Sequence, residues 1–564
     1  MLSNDAPLTR TSETTHPDPR VGIPTAGPQS VFVGPFGPRR IIYADFTASG
    51  RSLPLIEQAL ERVVLPFYGN THSEASRTGM ETTRIREAAR IAVRRAVNAG
   101  DQHAVIFCGA GSTAAINKLV RMMGLALPSG QRARDAALAA IPEPQRPLVI
   151  VGPFEHHSNE LPWRESLATL VRLPLDAEGR PCIQTLSQEL ARHAERPQRI
   201  VALSAASNVT GVLTDLAAAA CITHEHCGKL CVDFAAGAPY LPIHMCGTGS
   251  GDHIDAAFFS PHKFLGGPGA SGVLVADRAL CVRDTPTAPG GGTVRFVTRR
   301  QHRYLDDLEQ REEAGTPAIL GDIRAGLVMQ LKSDIGLEAI HAAERRAVAR
   351  ARELWQAEPG LELLGPASTD RLAIFSFNVR SGNRMLHHAY VVRLLNDLFG
   401  IQARAGCSCA GPYGHDLLDI DEDSSVRYQA QIEAGCELVK PGWVRLGLHY
   451  TFDDATVDSI LEALRFVARR GKDLLPFYVP DPASGRWDFG GEMPAPVDRW
   501  EALCSAWRGG TSALPGELNA PAFDACLREA YRLADVGAMM AGGPPVRLPP
   551  EAEALRWFWL PGER

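Results

Sequence analysis

Six short runs of nearly unbroken apolar residues, at 104–108, 147–151, 199–203, 229–233, 256–259 and 272–275, constrain this chain more than any other feature. A strand with one solvated face alternates apolar and polar side chains, whereas a run that is apolar throughout must be covered on both faces. Between the runs lie stretches with helical spacing, among them 82–97 and 186–194. Strands alternating with helices predict a mostly parallel sheet with helices on both sides, an α/β fold. A long amphipathic stretch at 319–356 then leads to a second, smaller α/β unit ending near residue 467. The expected division is a flexible N-terminal arm over 1–40, rich in Pro, Gly, Ser and Thr; a large domain over 41–330; a small C-terminal domain over 331–479; and an extension over 480–564 whose role stays open.

At 564 residues the chain is too long for one ordinary core. Hydrophobic residues at 45% and charged residues at 22% mark a globular protein, and a net charge of −6 leaves no basic footprint for nucleic acid or an anionic membrane surface. No apolar stretch reaches the length of a membrane span, and residues 1–30 are polar and proline-rich, unlike a secretory signal. A cytoplasmic protein is expected. The twelve cysteines are scattered. Cys221, Cys227 and Cys231 lie close together but lack paired C-x-x-C spacing, so no metal site is expected and reduced, mostly buried thiols are.

The chemistry concentrates in three segments. After the run at 254–259, Ser260-Pro261-His262-Lys263-Phe264-Leu265-Gly266-Gly267 sets an amine between a strand and a glycine-rich turn. Desolvation and a nearby cation can keep such an amine partly neutral and nucleophilic. Taken alone, it reads more readily as a surface lysine. Upstream, Leu230-Cys231-Val232-Asp233 is a buried strand ending in a carboxylate, which needs a partner. Further upstream, Ile106-Phe107-Cys108-Gly109-Ala110-Gly111-Ser112-Thr113 runs from a strand into a helix start, where backbone N–H groups bind a dianion. Lysine, carboxylate and phosphate cradle are the three parts that an enzyme using pyridoxal 5'-phosphate (PLP) must supply.

In this order the motifs resemble the class V group of PLP enzymes, the fold-type I branch that holds cysteine desulfurases, selenocysteine lyases and related aminotransferases, over residues 41–467. The resemblance implies a fold-type I transferase: a large domain with a mainly parallel seven-stranded sheet and a smaller C-terminal α/β domain. It implies that Lys263 carries the cofactor, that Asp233 pairs with the pyridinium nitrogen, and that Gly111, Ser112, Thr113, Ser260 and His262 hold the phosphate. Phe154-Glu155-His156-His157-Ser158-Asn159-Glu160-Leu161-Pro162-Trp163 resembles the segment E-H-H-x-N-x-x-P-W, which lays His156 over the ring, with His157 as the alternative. Asn208 matches an asparagine near the phenolic oxygen and the substrate carboxylate. Thr316, with Thr293 as a second candidate, resembles a residue lent across a dimer interface, so a homodimer is implied. Arg445, in Val444-Arg445-Leu446-Gly447, aligns with an arginine that grips the α-carboxylate through two parallel hydrogen bonds; otherwise it is a strand-edge residue in a surface ion pair. One departure stands out. Where the family reads D-x-A-Q, this chain reads Asp233-Phe234-Ala235-Ala236, so Ala236 lacks the glutamine's hydrogen bond to the phenolic oxygen.

Arg404-Ala405-Gly406-Cys407-Ser408-Cys409-Ala410-Gly411-Pro412 resembles the R-x-G-x-x-C-A-x-P stretch of the second group of cysteine desulfurases, with Cys409 at the sulfur-accepting position. Arg404 would favour its thiolate. Class V relatives of other activities also carry cysteine here, and Cys407 is either a bystander or a resolving thiol. The implied reaction is conversion of L-cysteine to L-alanine, with a persulfide on Cys409 that passes to an acceptor protein. The alternatives are a class V aminotransferase, lyase or epimerase without a persulfide step, and a PLP-binding scaffold acting through 480–564. Segments 44–50 and 68–73 resemble the borders of the substrate pocket and carry no assigned catalytic role.

Overall fold

All six apolar runs are strands of one sheet. The structure, a computed structural model, describes residues 30–71, 73–367, 370–495, 498–508, 519–540, 542 and 546–563. In chain order the strands are β1 (His103–Cys108), β2 (Leu148–Val151), β3 (Thr169–Arg172), β4 (Arg199–Ser204), β5 (Lys229–Asp233), β6 (Ala256–Phe259) and β7 (Gly272–Asp277). They pair in the seven-stranded order β1-β7-β6-β5-β4-β2-β3. Strands β2 to β6 run parallel to one another, while β7 is antiparallel to both β1 and β6. The link from β6 to β7 spans only 260–271, too short for the crossover that a parallel neighbour requires. The edge strand β3 has no fully buried position and gave no apolar run to read.

Both faces of the sheet are covered, as the apolar strands demand. One face packs under Val93, Leu186, Leu190, Val328 and Met329, the other under Ile116, Leu119 and Trp163. The amphipathic stretch at 319–356 is two helices, Ile319–Ile335 and Leu337–Ala357, broken at Gly336, whose φ of +85° suits only glycine. Beyond it β8 (Leu361–Leu363), β9 (Ile374–Ser381), β10 (Arg384–Leu386), β11 (Arg404–Gly406) and β12 (Trp443–Gly447) form an antiparallel sheet, ordered β8-β9-β12-β11 with β10 on β9. Ile42–Tyr43 runs parallel to Ile401–Gln402, which ties the start of the large unit to the small one.

Two expectations need correction. Residues 31–40 are no loose arm: Val31–Gly34 and Gly37–Arg40 form a hairpin, and the buried Arg39 donates from Nε to Leu398 O (2.6 Å) and pairs with Glu529 (2.6 Å). Residues 1–29 lie outside the described residues. The C-terminal extension is part of the small unit's core, where Cys526, Ala530, Leu533 and Ala534 of the helix Phe523–Met539, together with Phe558 and Leu560, join Leu394 and Phe466. Trp559 donates its indole N–H to Ser381 O (2.7 Å). Among the described residues no helix is long and apolar enough to cross a membrane.

Candidate active site

Asp233 ends β5, Ser204 ends β4, and Lys263 closes the single turn Pro261–Lys263 that follows β6. Where parallel strands end together, the residues just beyond them face a common crevice. Here that crevice is a cavity of about 230 Å³, lined also by Gly111, Ser112, Thr113, His156, Asn208, Ser260, His262, Cys409 and Arg445. Every site residue expected from the sequence, except Thr316 and its second candidate Thr293, therefore lines this one cavity.

At one end the helix Gly111–Met122 begins with no side chain capping it, which leaves backbone N–H groups for an anion. Ser112 N–H donates to Ser260 Oγ (2.8 Å) and joins the helix start to the lysine turn. Gly111 has φ +60°, and a Cβ there would lie 2.7 Å from Ser260 Oγ and 2.8 Å from His262 Cε1, so only glycine lets the two loops close. Thr113 Oγ1 lies 2.7 Å from Ser158 Oγ, which in turn lies 3.0 Å from His156 Nδ1.

At the centre, buried Asp233 accepts from Ala235 N–H (2.8 Å). Burial pushes its pKa up to about 6, against that bond and the charge of Lys263. Burial pulls the Lys263 amine down to about 8, against the attraction of Asp233, so a fraction is neutral near pH 7. His156 is pulled down to about 4 by burial and then by Lys263, which leaves a neutral ring facing the cavity. His157 is turned elsewhere: its backbone N–H donates to Cys409 O (2.8 Å), and its Nε2 accepts from Gly411 N–H (3.0 Å).

At the other end Arg445 is buried, not a surface strand residue. It donates from Nη2 to Asp45 Oδ1 (2.9 Å) and from Nη1 to Asn208 O (3.2 Å), while its buried Nε has no hydrogen-bond partner. Arg404, opposite Arg445 in the β11–β12 pair, donates to the second Asp45 oxygen (3.0 Å). Main-chain bonds from Ala44 to Gln402 and from Gly447 to Ala44 fix Asp45 there. Sequence reading gave Asp45 no role, because its only signal was a place in a segment bordering the pocket. Asn208 Nδ2 donates to Ser408 O (2.8 Å) and so anchors the Cys409 loop.

Cys409 is exposed at the cavity rim. Ser408 and Cys409 both hold positive φ (+51° and +54°), a conformation costing roughly 1–2 kcal/mol per residue. Such strain persists only where the surroundings enforce it, here through His157 and Asn208. Cys407 packs instead beside Phe154 and Tyr413 and does not line the cavity. Ala236 lines it with a methyl group. Thr316 is exposed outside the cavity, where it accepts from Asn70 Nδ2 (3.3 Å), and the buried Thr293 gives its hydroxyl to Gly290 O (2.7 Å). An uncapped helix start, a buried carboxylate short of a cation and a partly neutral amine form a donor set that fits a phosphorylated ring with a basic nitrogen and a carbonyl group.

Comparison with known proteins identifies the family. A probable cysteine desulfurase of Staphylococcus aureus strain Mu50 is 31% identical over 380 residues, 66% of this chain and 84% of that one. The apo structure of a cysteine desulfurase from Thermococcus onnurineus NA1 superposes with a TM-score of 0.61 at 23% identity, over 76% of this chain and 95% of that one. The Escherichia coli cysteine desulfurase CsdA superposes with a TM-score of 0.57 at 25% identity, over 75% and 93%. Residues 42–458 match the family model described as aminotransferase class-V, and the chain belongs to that family as a cysteine desulfurase-like enzyme.

Proposed function

We propose that the protein is a PLP-dependent cysteine desulfurase that converts L-cysteine to L-alanine and carries the sulfur as a persulfide on Cys409. The observation behind this reading is that Lys263, Asp233, Arg445 and Cys409 all line one cavity. PLP, when bound, supplies an electron sink that acidifies the substrate's Cα–H and loosens the bonds of its side chain. The start of the helix Gly111–Met122, with Ser260 and His262, would hold the phosphate. Asp233 would pair with the ring nitrogen and so recover the cost of its burial, and the neutral His156 would offer its face to the ring. Lys263, partly neutral, takes the α-proton. Arg445 offers its unpartnered Nε and an Nη group as parallel donors to the α-carboxylate, which displaces Asp45. The Cys409 thiolate attacks the substrate sulfur: an S–S bond forms, the Cβ–S bond breaks, and its electron pair passes to Cβ, which takes a proton to become the methyl group of alanine, while Lys263 returns the proton to Cα. An exposed Cys409 leaves the persulfide open to an acceptor protein. Exposed Thr316 is offered to a second copy in a homodimer.

The test is alanine and sulfide production from L-cysteine by purified protein with PLP and reductant. Equal yields are expected. Cys409→Ser should lose sulfide release while L-cysteine still changes the visible spectrum, and undiminished release would remove the persulfide role. A spectral response without sulfide in the unaltered enzyme would favour aminotransferase, lyase or epimerase chemistry. Lys263→Ala should abolish the visible band of bound PLP.

A further inference from the structure

Strands β5 and β6 carry the lysine and carboxylate at one end; at the other, about 13 Å away at roughly 3.3 Å per residue, three ligand-type side chains converge. His224 lies in the last turn of the helix Leu216–Glu225, and His253 and Asp255 lie just ahead of β6. Their ligand atoms all fall within 4.8 Å of one another. The Asp255 side chain is fully buried, with Oδ2 accepting from Leu230 N–H (2.8 Å) and Oδ1 from Lys229 Nζ (2.9 Å), so the carboxylate is fixed in direction. His224 Nδ1 lies 2.6 Å from Gly251 O, which aims Nε2 at Asp255 Oδ2, 2.8 Å away. An imidazole that gives one N–H to a backbone carbonyl and presents its other nitrogen beside a carboxylate is oriented as a metal ligand is. Between Nε2 and Oδ2 a proton now serves, and a metal ion can replace it. His253 stacks on His224 (3.7 Å, 3° between planes) with Nε2 4.0 Å from Asp255 Oδ1. Its side chain is 44% exposed, so solvent reaches the cluster, and because each nitrogen lone pair lies in its ring plane the His253 ring must leave the stack to share an ion with His224.

We propose that His224, His253 and Asp255 form a site for a divalent transition ion of the zinc type, with solvent completing its shell. Two imidazoles and one carboxylate suit zinc or cobalt, whereas calcium and magnesium seek oxygen donors. Bonds of about 2.0–2.1 Å at tetrahedral angles put neighbouring ligand atoms about 3.3 Å apart. His224–Asp255 therefore opens from 2.8 Å and His253–Asp255 closes from 4.0 Å. Lys229 opposes the ion, because its ammonium shares Asp255 and adds positive charge. The ion's work is structural: it pins the glycine-rich loop 247–251 and the helix end to the strands whose far ends carry Asp233 and Lys263.

The test is equilibrium dialysis of the full-length, tag-free enzyme against Zn²⁺, with its cysteines alkylated so that thiols do not compete. One equivalent per chain is expected. His253→Phe, which keeps the stacked ring and removes the ligand, should weaken binding by about ten-fold or more. Lys229→Met should tighten it, and neither variant should change cysteine turnover measured before alkylation. Absence of a saturable equivalent, or equal binding by the unaltered and His253→Phe proteins, would overturn the site, as would weaker binding by Lys229→Met. Should Lys229→Met fail to fold, the exposed His253 position still decides the matter.

Discussion

Lys263 brings a charge into a cavity that disfavours it, and its replacement by methionine measures that cost. Burial lowers the amine from 10.5 to about 8 even with Asp233 attracting the proton. Because the folded pKa lies below the unfolded one, the unfolded chain binds the proton more tightly. Stability is therefore reduced at every pH below about 8 and is recovered as pH rises from about 8 to 10.5. At 1.36 kcal/mol per pH unit the difference is about 3 kcal/mol, and partial contact of the lysine with water brings it to about 2–3 kcal/mol. Methionine keeps the length and fills the space without the charge. Urea unfolding of the cofactor-free proteins is the assay. Lys263→Met should be more stable than the unaltered chain by about 2–3 kcal/mol at pH 7, with the gap closed near pH 10.5. A variant that is no more stable at pH 7, or a gap that does not narrow with pH, would refute the reasoning. Added PLP should raise the stability of the unaltered chain by mass action and reverse the order, the usual trade of stability for function.

Gly111→Ala adds a left-handed alanine, costing about 1–2 kcal/mol, and a methyl group that displaces Ser260 and His262. PLP binding followed by absorbance should weaken about ten-fold or more, corresponding to at least 1.4 kcal/mol, and affinity within two-fold of normal would contradict the cradle. His157→Ala strands the Gly411 N–H and loosens the Cys409 loop. Sulfide release should fall roughly ten-fold, for about 1–2 kcal/mol of lost positioning, with amino-acid binding followed spectrally unchanged; equal loss of both would mean a general defect. Ending the chain at residue 519 strips Ala530, Leu533, Ala534, Phe558 and Leu560 from the small unit's core. The shortened protein should be insoluble or melt well below the full chain, since each large apolar side chain left uncovered costs about 1.5–3 kcal/mol; an unchanged melting temperature would contradict the packing.

The large sheet was readable because strands covered on both faces leave an unmistakable apolar run, and the site residues were readable because they follow such runs directly. β3 was not, since a half-buried edge strand needs no apolar run. The C-terminal extension was not, because the small and apolar residues of Phe523–Met539 acquire meaning only against Leu394 and Phe466. Its Gly537 lets the helix approach so closely that a Cβ there would lie 2.1 Å from Asp473 O. Gly336 splits the amphipathic stretch 319–356 into two helices, and the apolar spacing on either side runs through it without a gap in polarity to mark the break. Asp45 and Arg445 lie 400 positions apart, and His224 meets Asp255 across 31. Pairings of that kind are made by the fold, and no local pattern announces them.

The two ends of the cavity differ in how far the protein satisfies its own charges. In the proposed reading, Arg445 at the substrate end already has a carboxylate, because Asp45 stands where the substrate's carboxylate would and also holds Arg404. A substrate there exchanges one carboxylate for another, so its affinity is the difference between two similar interactions. At the cofactor end little is satisfied. The helix start lacks a cap, Asp233 is raised to about 6, and Lys263 is lowered to about 8. In the proposed reading, a ligand bringing a dianion and a basic ring nitrogen would relieve each of these at once, and the partner it meets at the helix start is the neutral Ser260 hydroxyl rather than a charge. On the proposed function, these electrostatics would separate a cofactor that stays from a substrate that comes and goes. An enzyme that releases its product each turn while keeping its catalyst needs that asymmetry.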